Sequence, residues 1–478
     1  MSKPSFISNV SLRIILTIPL RFRGLLVLPM LTRLYPQDIY GAWLQILIIA
    51  EILRQLLGLR LGTALVRYLP GEGKPHQVIK AVMTTTVICS LTFVATVWVF
   101  QDELCGLIFG NYIFQSILVI SSFWILVQAC MRVGLSVLRS QEKISTLSVR
   151  EFLSAVWLVL SVFLAYRLRL GLETLMLICL TGDTILLIWI LIQIGVPVPF
   201  ISPKEAMAVI RKFLPYSAPL IFNTLFLWLT RSIDRFLIVQ MLGLSLVGIY
   251  GVAFQLASLL FIVLRPINFV LFPRVSSAWT KGEKNDVSRY FSQSLTLTLV
   301  LSTPLLVGIL STSEGLIRLL AGEKYVSEQG LILCLLVACL ASMVYQNHLY
   351  VVHLVEKTFL LPILFVSTSI INLIIGYFLI LKTGLIGAAI SRVLTLLLMA
   401  LVVTIWARRH IKFYVNWSLV LRVGLASIIM GLALKWISMD SWESLFIKIF
   451  TGSVIFLLSL IPLRVLTRAN LMMLRNQF

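Results

Sequence analysis

YGAWLQILIIAEILRQLLGLRLG, residues 40–62, is long and apolar enough to cross a bilayer, yet it carries Glu51, Arg54 and Arg60. A span needs roughly 20 mainly apolar residues, and an ionised side chain at its centre costs at least about 2.5–3.5 kcal/mol. Three charges in one such stretch point to a helix that lines a wet cavity, not one wrapped in lipid.

The rest of the chain has the same character. Of 478 residues, 59% are hydrophobic and 12% charged, about half the charged share of a soluble domain, and the mean hydropathy is +1.00. Long apolar runs recur from end to end, which excludes a β-barrel, whose signature is short alternating strands. The class is all-α: a polytopic membrane protein with about 14 transmembrane helices. The expected spans are residues 10–31, 42–66, 79–100, 113–137, 151–167, 172–195, 214–239, 246–272, 289–312, 329–354, 359–381, 384–406, 417–437 and 444–463. The seventh and eighth are cut at LGLS, 242–245, inside a run without charge from 236 to 264.

A net charge of +21 would suggest nucleic acid in a soluble protein. Here the positive-inside rule accounts for most of it. Alternate loops hold 21 Lys and Arg on one side and 7 on the other, which places both termini in the cytoplasm; the even number of spans agrees. Arg13, Arg21 and Arg23 interrupt the first apolar run, so it is expected to stay as a span and not to be cleaved. The cysteines form neither a disulfide framework nor a metal pattern, and Cys105 lies in a short loop. The charged connector 276–290 marks no chemistry. PGEGKPH, 70–76, lacks the spacing of a phosphate loop. No cofactor or metal is expected.

An internal repeat is visible. PLRFRGLLVLPMLTRLYPQDIYG, 19–41, and LTRSIDRFLIVQMLGLSLVGIYG, 229–251, end in the same Tyr-Gly at an offset of 210 residues, and Arg21 matches Arg231. This suggests two six-span halves, 1–205 and 206–412, with 413–478 as two additional helices. Repeated halves with a site between them are a common transporter plan.

Subtracting the 28 loop cations from 40 leaves 12 in or at the edges of spans. Arg13, Arg132, Arg422 and Lys448 lie near span ends and read as snorkellers. Asp234 can neutralise Arg231, and Glu51 can pair with Arg54, each at i, i+3. Arg60 lies on another face of a continuous helix. What survives is a surplus of mid-membrane arginine: Arg21 or Arg23, Arg54, Arg231 or Arg235, Arg265 and Arg392. A planar guanidinium that stays charged suits a phosphate. These are the candidate substrate-binding residues; Glu51, Asp183 and Asp234 are candidates for ion coupling. The alternative for Asp183 is a hydrogen bond to Thr181, Thr184 or a neighbouring helix.

LPMLTRLYPQDIYGAW (28–43), LGLRLGTALVRYLP (57–70), PLIFNTLFLWLTRSIDRFLIVQMLGLSLVGIYGVAFQL (219–256), LFPRVSSAW (271–279) and GLIGAAISRVLT (384–395) resemble the polysaccharide-transport branch of the multidrug/oligosaccharidyl-lipid/polysaccharide (MOP) flippase superfamily. Within it the chain resembles the Wzx-type O-antigen or exopolysaccharide repeat-unit flippases. The resemblance implies two six-helix lobes related by a pseudo-two-fold axis, a cavity of alternating access in the cytoplasmic membrane, and no enzymatic activity. It implies a polyprenyl-diphosphate-linked oligosaccharide as cargo and a polysaccharide polymerase or export machinery as partners. By position, Arg23, Arg54, Arg231 and Arg265 would line the cavity, with Arg21 against Arg23 left open. The alternatives are a lipid II flippase, a small-molecule exporter of the same superfamily, and a membrane-embedded polymerase or ligase of lipid-linked sugars. The last would need a long external loop, and the expected loops are short.

Overall fold

The computed structural model describes residue 16 and residues 23–196, 200–437 and 441–465. Among them the secondary structure is helical, without a strand. We number the helices α1 (residues 23–34), α2 (Gln37–Leu56), α3 (Leu61–Tyr68), α4 (Pro75–Val99), α5 (Gln101–Phe109), α6 (Gln115–Ser140), α7 (Ile144–Leu168), α8 (Leu172–Gln193) and α9 (Pro203–Leu242). They continue with α10 (Leu244–Ala257), α11 (Phe261–Thr280), α12 (Lys284–Leu320), α13 (Gln329–Leu354), α14 (Leu360–Thr383), α15 (Leu385–His410), α16 (Trp417–Leu434) and α17 (Trp442–Leu460). Thirteen helical stretches among the described residues are long and apolar enough to cross a membrane. They coincide with the second to fourteenth expected spans; most of the first lies outside the described residues.

Large apolar side chains such as Trp98, Ile113, Ile185, Phe269 and Phe450 are more than half exposed. In water such a surface would drive association. In lipid it is the outside of the protein, and helices are the form that satisfies every backbone group within the span.

Two compact units divide the chain, residues 1–248 and 249–478. In the first, α6 packs on α2, α3, α4 and α8, and α9 packs on α2 to α5. Leu65, Val82, Val137, Ile190 and Phe213 form its core. In the second, α12 packs on α11, α13, α16 and α17, and α15 lies against α13 and α14. Its core includes Val275, Phe291, Val351 and Phe413.

Local signals set the element ends. Ser202 and Glu205 close a capping box around the start of α9, with Pro203 in its first turn, where a missing N–H costs nothing. The cut at LGLS falls at Gly243: α9 ends at Leu242 and the glycine takes φ 89°, returning its N–H to the carbonyls of Ile238 and Val239. Only a residue without Cβ adopts that backbone freely.

Three expectations are corrected. Cys105 lies in α5, not a loop; it is fully buried and its thiol donates to the Asn111 carbonyl at 3.0 Å. The connector 276–290 is mostly helix, since α11 runs to Thr280 and α12 starts at Lys284. The span 42–66 is two helices, and that break builds the site.

Candidate functional site: an arginine-lined cavity in the first unit

α2 stops at Leu56, and Leu59 and Arg60 take left-handed backbone at φ 47° and 54°. For residues with a Cβ this costs roughly 1–2 kcal/mol each, so the turn must be held. The Leu59 N–H donates to the Leu56 carbonyl at 2.7 Å, and the Leu61 N–H to Gly58 at 2.8 Å. α3 is held against α6 at Gly62, where a Cβ would stand 2.7 Å from the Ser136 hydroxyl.

The turn brings Arg60 back beside α2. Its Nη1 donates to the Gln55 Oε1 at 2.7 Å, and Nη2 of Arg132, from α6, donates to the same oxygen at 3.3 Å. Gln55 is itself fixed by its Nε2, which donates to the Glu51 carbonyl at 3.0 Å. Two expectations change here. Arg60 does not point to another face, because the helix that would put it there is broken. Arg132 does not act as a solitary snorkeller; it meets Arg60 on one acceptor. Among the described residues no ion pair joins Glu51 to Arg54, and the Arg54 Nε is buried without a partner.

Two adjoining cavities, of about 720 and 540 Å³, share the wall formed by Arg54, Arg132, Leu135 and Glu151. Both fall in the size range of ligand sites. The larger is lined also by Arg60, Arg67, Arg139 and Tyr216; the smaller also by Arg23, Glu51, Trp124, Gln128, Trp157 and Asp183. Arg67 lies over the Tyr216 ring at 4.8 Å, a cation–π contact tying α3 to α9. Six arginines thus face three carboxylates, all from helices of the first unit.

Asp183, on α8, is 4% exposed. Its Oδ2 accepts from the Trp124 Nε1 at 2.8 Å and the Gln128 Nε2 at 2.5 Å, both on α6; its Oδ1 accepts from the Ser154 hydroxyl of α7 at 3.2 Å. Thr181 and Thr184 bond their own helix instead. The preceding Gly182 leaves room for Trp157, whose Nε1 a Cβ would approach to 1.8 Å; that indole N–H donates to the Ile178 carbonyl at 3.0 Å. One dipeptide therefore seats a tryptophan and joins three helices.

The remaining predicted residues lie elsewhere. Arg21 and Arg13 fall outside the described residues. On α9, Arg231 is exposed and Asp234 buried, and the Arg235 N–H donates to the Asp234 Oδ1 at 3.1 Å; none lines either cavity. Arg265, on α11, is exposed, and Arg392, on α15, is buried over the Phe254 ring at 4.9 Å; both belong to the second unit. Arg23, Arg54, Glu51 and Asp183 are brought together, while Arg60, Arg67, Arg132, Arg139 and Glu151 complete the lining unforeseen. Their signal in the sequence was weak, because Arg67 and Arg139 read as loop charges. Arg150 also read as a loop charge, yet it is buried on α7, stacked on Trp189 and bonded to Gln193. Arg422 and Lys448 do serve span ends, donating to the carbonyls of Arg464 and Ile437 at 3.4 and 3.0 Å.

Residues 30–329 match the family described as polysaccharide biosynthesis protein. The "Probable low-salt glycan biosynthesis flippase Agl15" of Haloferax volcanii is 22% identical over 392 residues, covering 81% of this chain and 80% of the relative. The "Probable flippase AglR" of the same organism is 30% identical over 174 residues, 35% of each chain. Among solved structures, the lipid II flippase MurJ in an inward closed conformation superposes with a TM-score of 0.78 at 16% identity, over 96% of this chain and all of that one. An inward-facing MATE multidrug resistance transporter of the MOP superfamily gives 0.65 at 13% identity, over 81% and 93%. At those identities the likeness establishes the fold. The chain belongs to the family of polysaccharide biosynthesis proteins and has the helical, multi-pass fold of the flippase and transporter structures on which it superposes.

Proposed function

We propose that this flippase moves a polyprenyl-diphosphate-linked oligosaccharide, a polysaccharide repeat unit, from the cytoplasmic to the outer leaflet of the cell membrane. The observation that carries this is the arginine lining of the first unit's cavity, Arg54, Arg60 and Arg132 above all. Guanidinium groups held together against their mutual repulsion are matched by a ligand with several negative oxygens in a small volume, and a diphosphate is such a ligand. An organic cation would be repelled. The glycan-biosynthesis name of the Haloferax relative supports a glycan cargo.

The diphosphate docks on the arginines, the sugars occupy the wet cavity, and the polyprenyl chain stays in lipid. Alternating access of the two sequence repeats, 1–205 and 206–412, carries the headgroup across, with 413–478 as added helices. Arg23, Arg231, Arg265 and Arg392 are proposed to contribute along that path. Ion coupling falls to Glu51, Asp183 or Asp234; Glu51 is favoured because its carboxylate lines the cavity with no ion pair or side-chain hydrogen bond among the described residues, whereas that of Asp183 is occupied by three donors. Both termini are assigned to the cytoplasm by loop charge. A polysaccharide polymerase or export machinery would act on the delivered unit.

The test is translocation of such a lipid in sealed proteoliposomes. Loss of a charge-assisted contact of about 1.5–3 kcal/mol corresponds to roughly 10- to 100-fold, so Arg54→Ala and Arg132→Ala should slow transfer by about that factor at wild-type melting temperature. Variants that transfer as fast as wild type would overturn the assignment.

A further inference from the structure

The two cavities differ in what they offer a ligand. The larger is bounded by Arg60, Arg67 and Arg139 together with the shared Arg54 and Arg132. Guanidinium groups donate and cannot accept, so this sector suits phosphate oxygens, which accept and cannot donate once ionised. The smaller adds Glu51 and Asp183, both absent from the larger, and the Gln128 amide; Arg23 is the arginine it does not share. Two more acidic groups there disfavour a diphosphate. Hydroxyl groups, which donate and accept, are served by that mixture.

The same sector carries two tryptophans, Trp124 and Trp157, and each has its indole N–H occupied by the protein: Trp124 by the Asp183 carboxylate, Trp157 by the Ile178 carbonyl. Trp157 is seated against Gly182, where no side chain could stand. What these rings present to the cavity is therefore rigid apolar surface, set beside acceptors. Immobile aromatic surface flanked by carboxylate and amide groups is complementary to a sugar ring, which has C–H faces and a rim of hydroxyls; an anion alone would need neither the rings nor the acceptors.

We infer that the smaller cavity, with Trp124, Trp157, Gln128, Asp183 and Glu51, is a sugar subsite, and that the larger holds the diphosphate. This rests on the diphosphate reading given above and adds to it a division of labour within one unit. Glu51 lines the smaller cavity one turn before the shared Arg54 on α2: it accepts from a sugar hydroxyl and keeps phosphate toward the arginine side.

The division predicts effects of opposite sign. Binding to the purified full-length protein in nanodiscs would be measured for polyprenol, bare polyprenyl diphosphate, and the polyprenyl-diphosphate-oligosaccharide extracted from native membranes. Wild type should hold the glycosylated lipid more tightly than the bare diphosphate. Glu51→Gln should bind the bare diphosphate more tightly than wild type while its preference for the glycosylated lipid falls by about tenfold, the weight of one charged hydrogen bond. Trp157→Leu should lose the same preference; as a ratio within one preparation, this readout cancels any loss of folded protein. Arg54→Ala should weaken both lipids and keep the ratio. A preference unchanged in Glu51→Gln and Trp157→Leu overturns the subsite, as does a wild type with no preference. If wild type holds polyprenol as tightly as polyprenyl diphosphate, the diphosphate reading itself fails and the subsite falls with it.

Discussion

The interiors of the two units handle polarity in opposite ways. In the first, arginines and carboxylates line open space around α2, α6, α7 and α8. In the second, the buried polar groups on α12 to α15 include a set that is neutral and paired between helices. The Asn347 amide donates to the Ser294 hydroxyl at 2.7 Å, His348 Nδ1 meets the Thr404 hydroxyl at 2.9 Å, and the Ser391 hydroxyl donates to the Asn372 Oδ1 at 2.6 Å. The His348 ring also stacks on Phe413, with centroids 4.6 Å apart. A neutral hydrogen-bonded pair can sit in a dry helix interface at modest cost, whereas a charge needs water or several fixed partners. Around these cavities of the first unit charge marks open space, and in the second unit these neutral pairs mark sealed helix interfaces.

That contrast can be broken most sharply at Asp183. Its carboxylate stands at the wall of the smaller cavity and is held by donors from two other helices. Asp183→Leu orphans the Trp124 and Gln128 donors, at about 1–3 kcal/mol each, and thermal unfolding in detergent should show a loss of roughly 2–5 kcal/mol. Asp183→Asn keeps an acceptor toward those donors and can donate to Ser154, so it should unfold like wild type. An Asn variant as unstable as the Leu variant would mean that the charge itself is structural.

A step smaller is Gly182→Ala. The added carbon displaces Trp157 from its seat, an overpacking cost of about 1–3 kcal/mol, read as a lower melting temperature and a changed tryptophan emission. No change in either would place the close contact in doubt. The smallest effect belongs to the second unit. Asn347→Leu removes a neutral pair in which the Asn347 Oδ1 already lacks a partner, so stability should move by less than about 1 kcal/mol. A drop as large as that of Asp183→Leu would erase the distinction between the two interiors.

The fold was legible because the signal is local. Of the fourteen spans drawn from hydropathy windows, thirteen coincide with helices among the described residues, and the hardest cut, at 242–245, fell on the one glycine that the turn needs. The site was legible only in part. Arg54, Glu51 and Asp183 stood out as charges in apolar runs, and Arg23 did so with Arg21 as its rival. Arg132 was set aside because it lies near a span end, and Arg67 and Arg139 because loops are expected to be basic. Arg60 was misplaced for a specific reason: GLR reads as continuing helix, and left-handed backbone at Leu59 and Arg60 is written in neither residue type.

Hydrophobicity by itself determined that the chain is an all-helical membrane protein and where thirteen of its spans lie among the described residues, because each is a property of a window about one bilayer long. Which arginines share a cavity was decided by tertiary structure alone. Arg60 and Arg132 meet on Gln55 across 72 residues of sequence, and Asp183 is satisfied from 29 to 59 residues away. Such meetings depend on a broken helix and on how closely helices can approach at Gly62 and Gly182, and neither quantity is carried by the composition of a span.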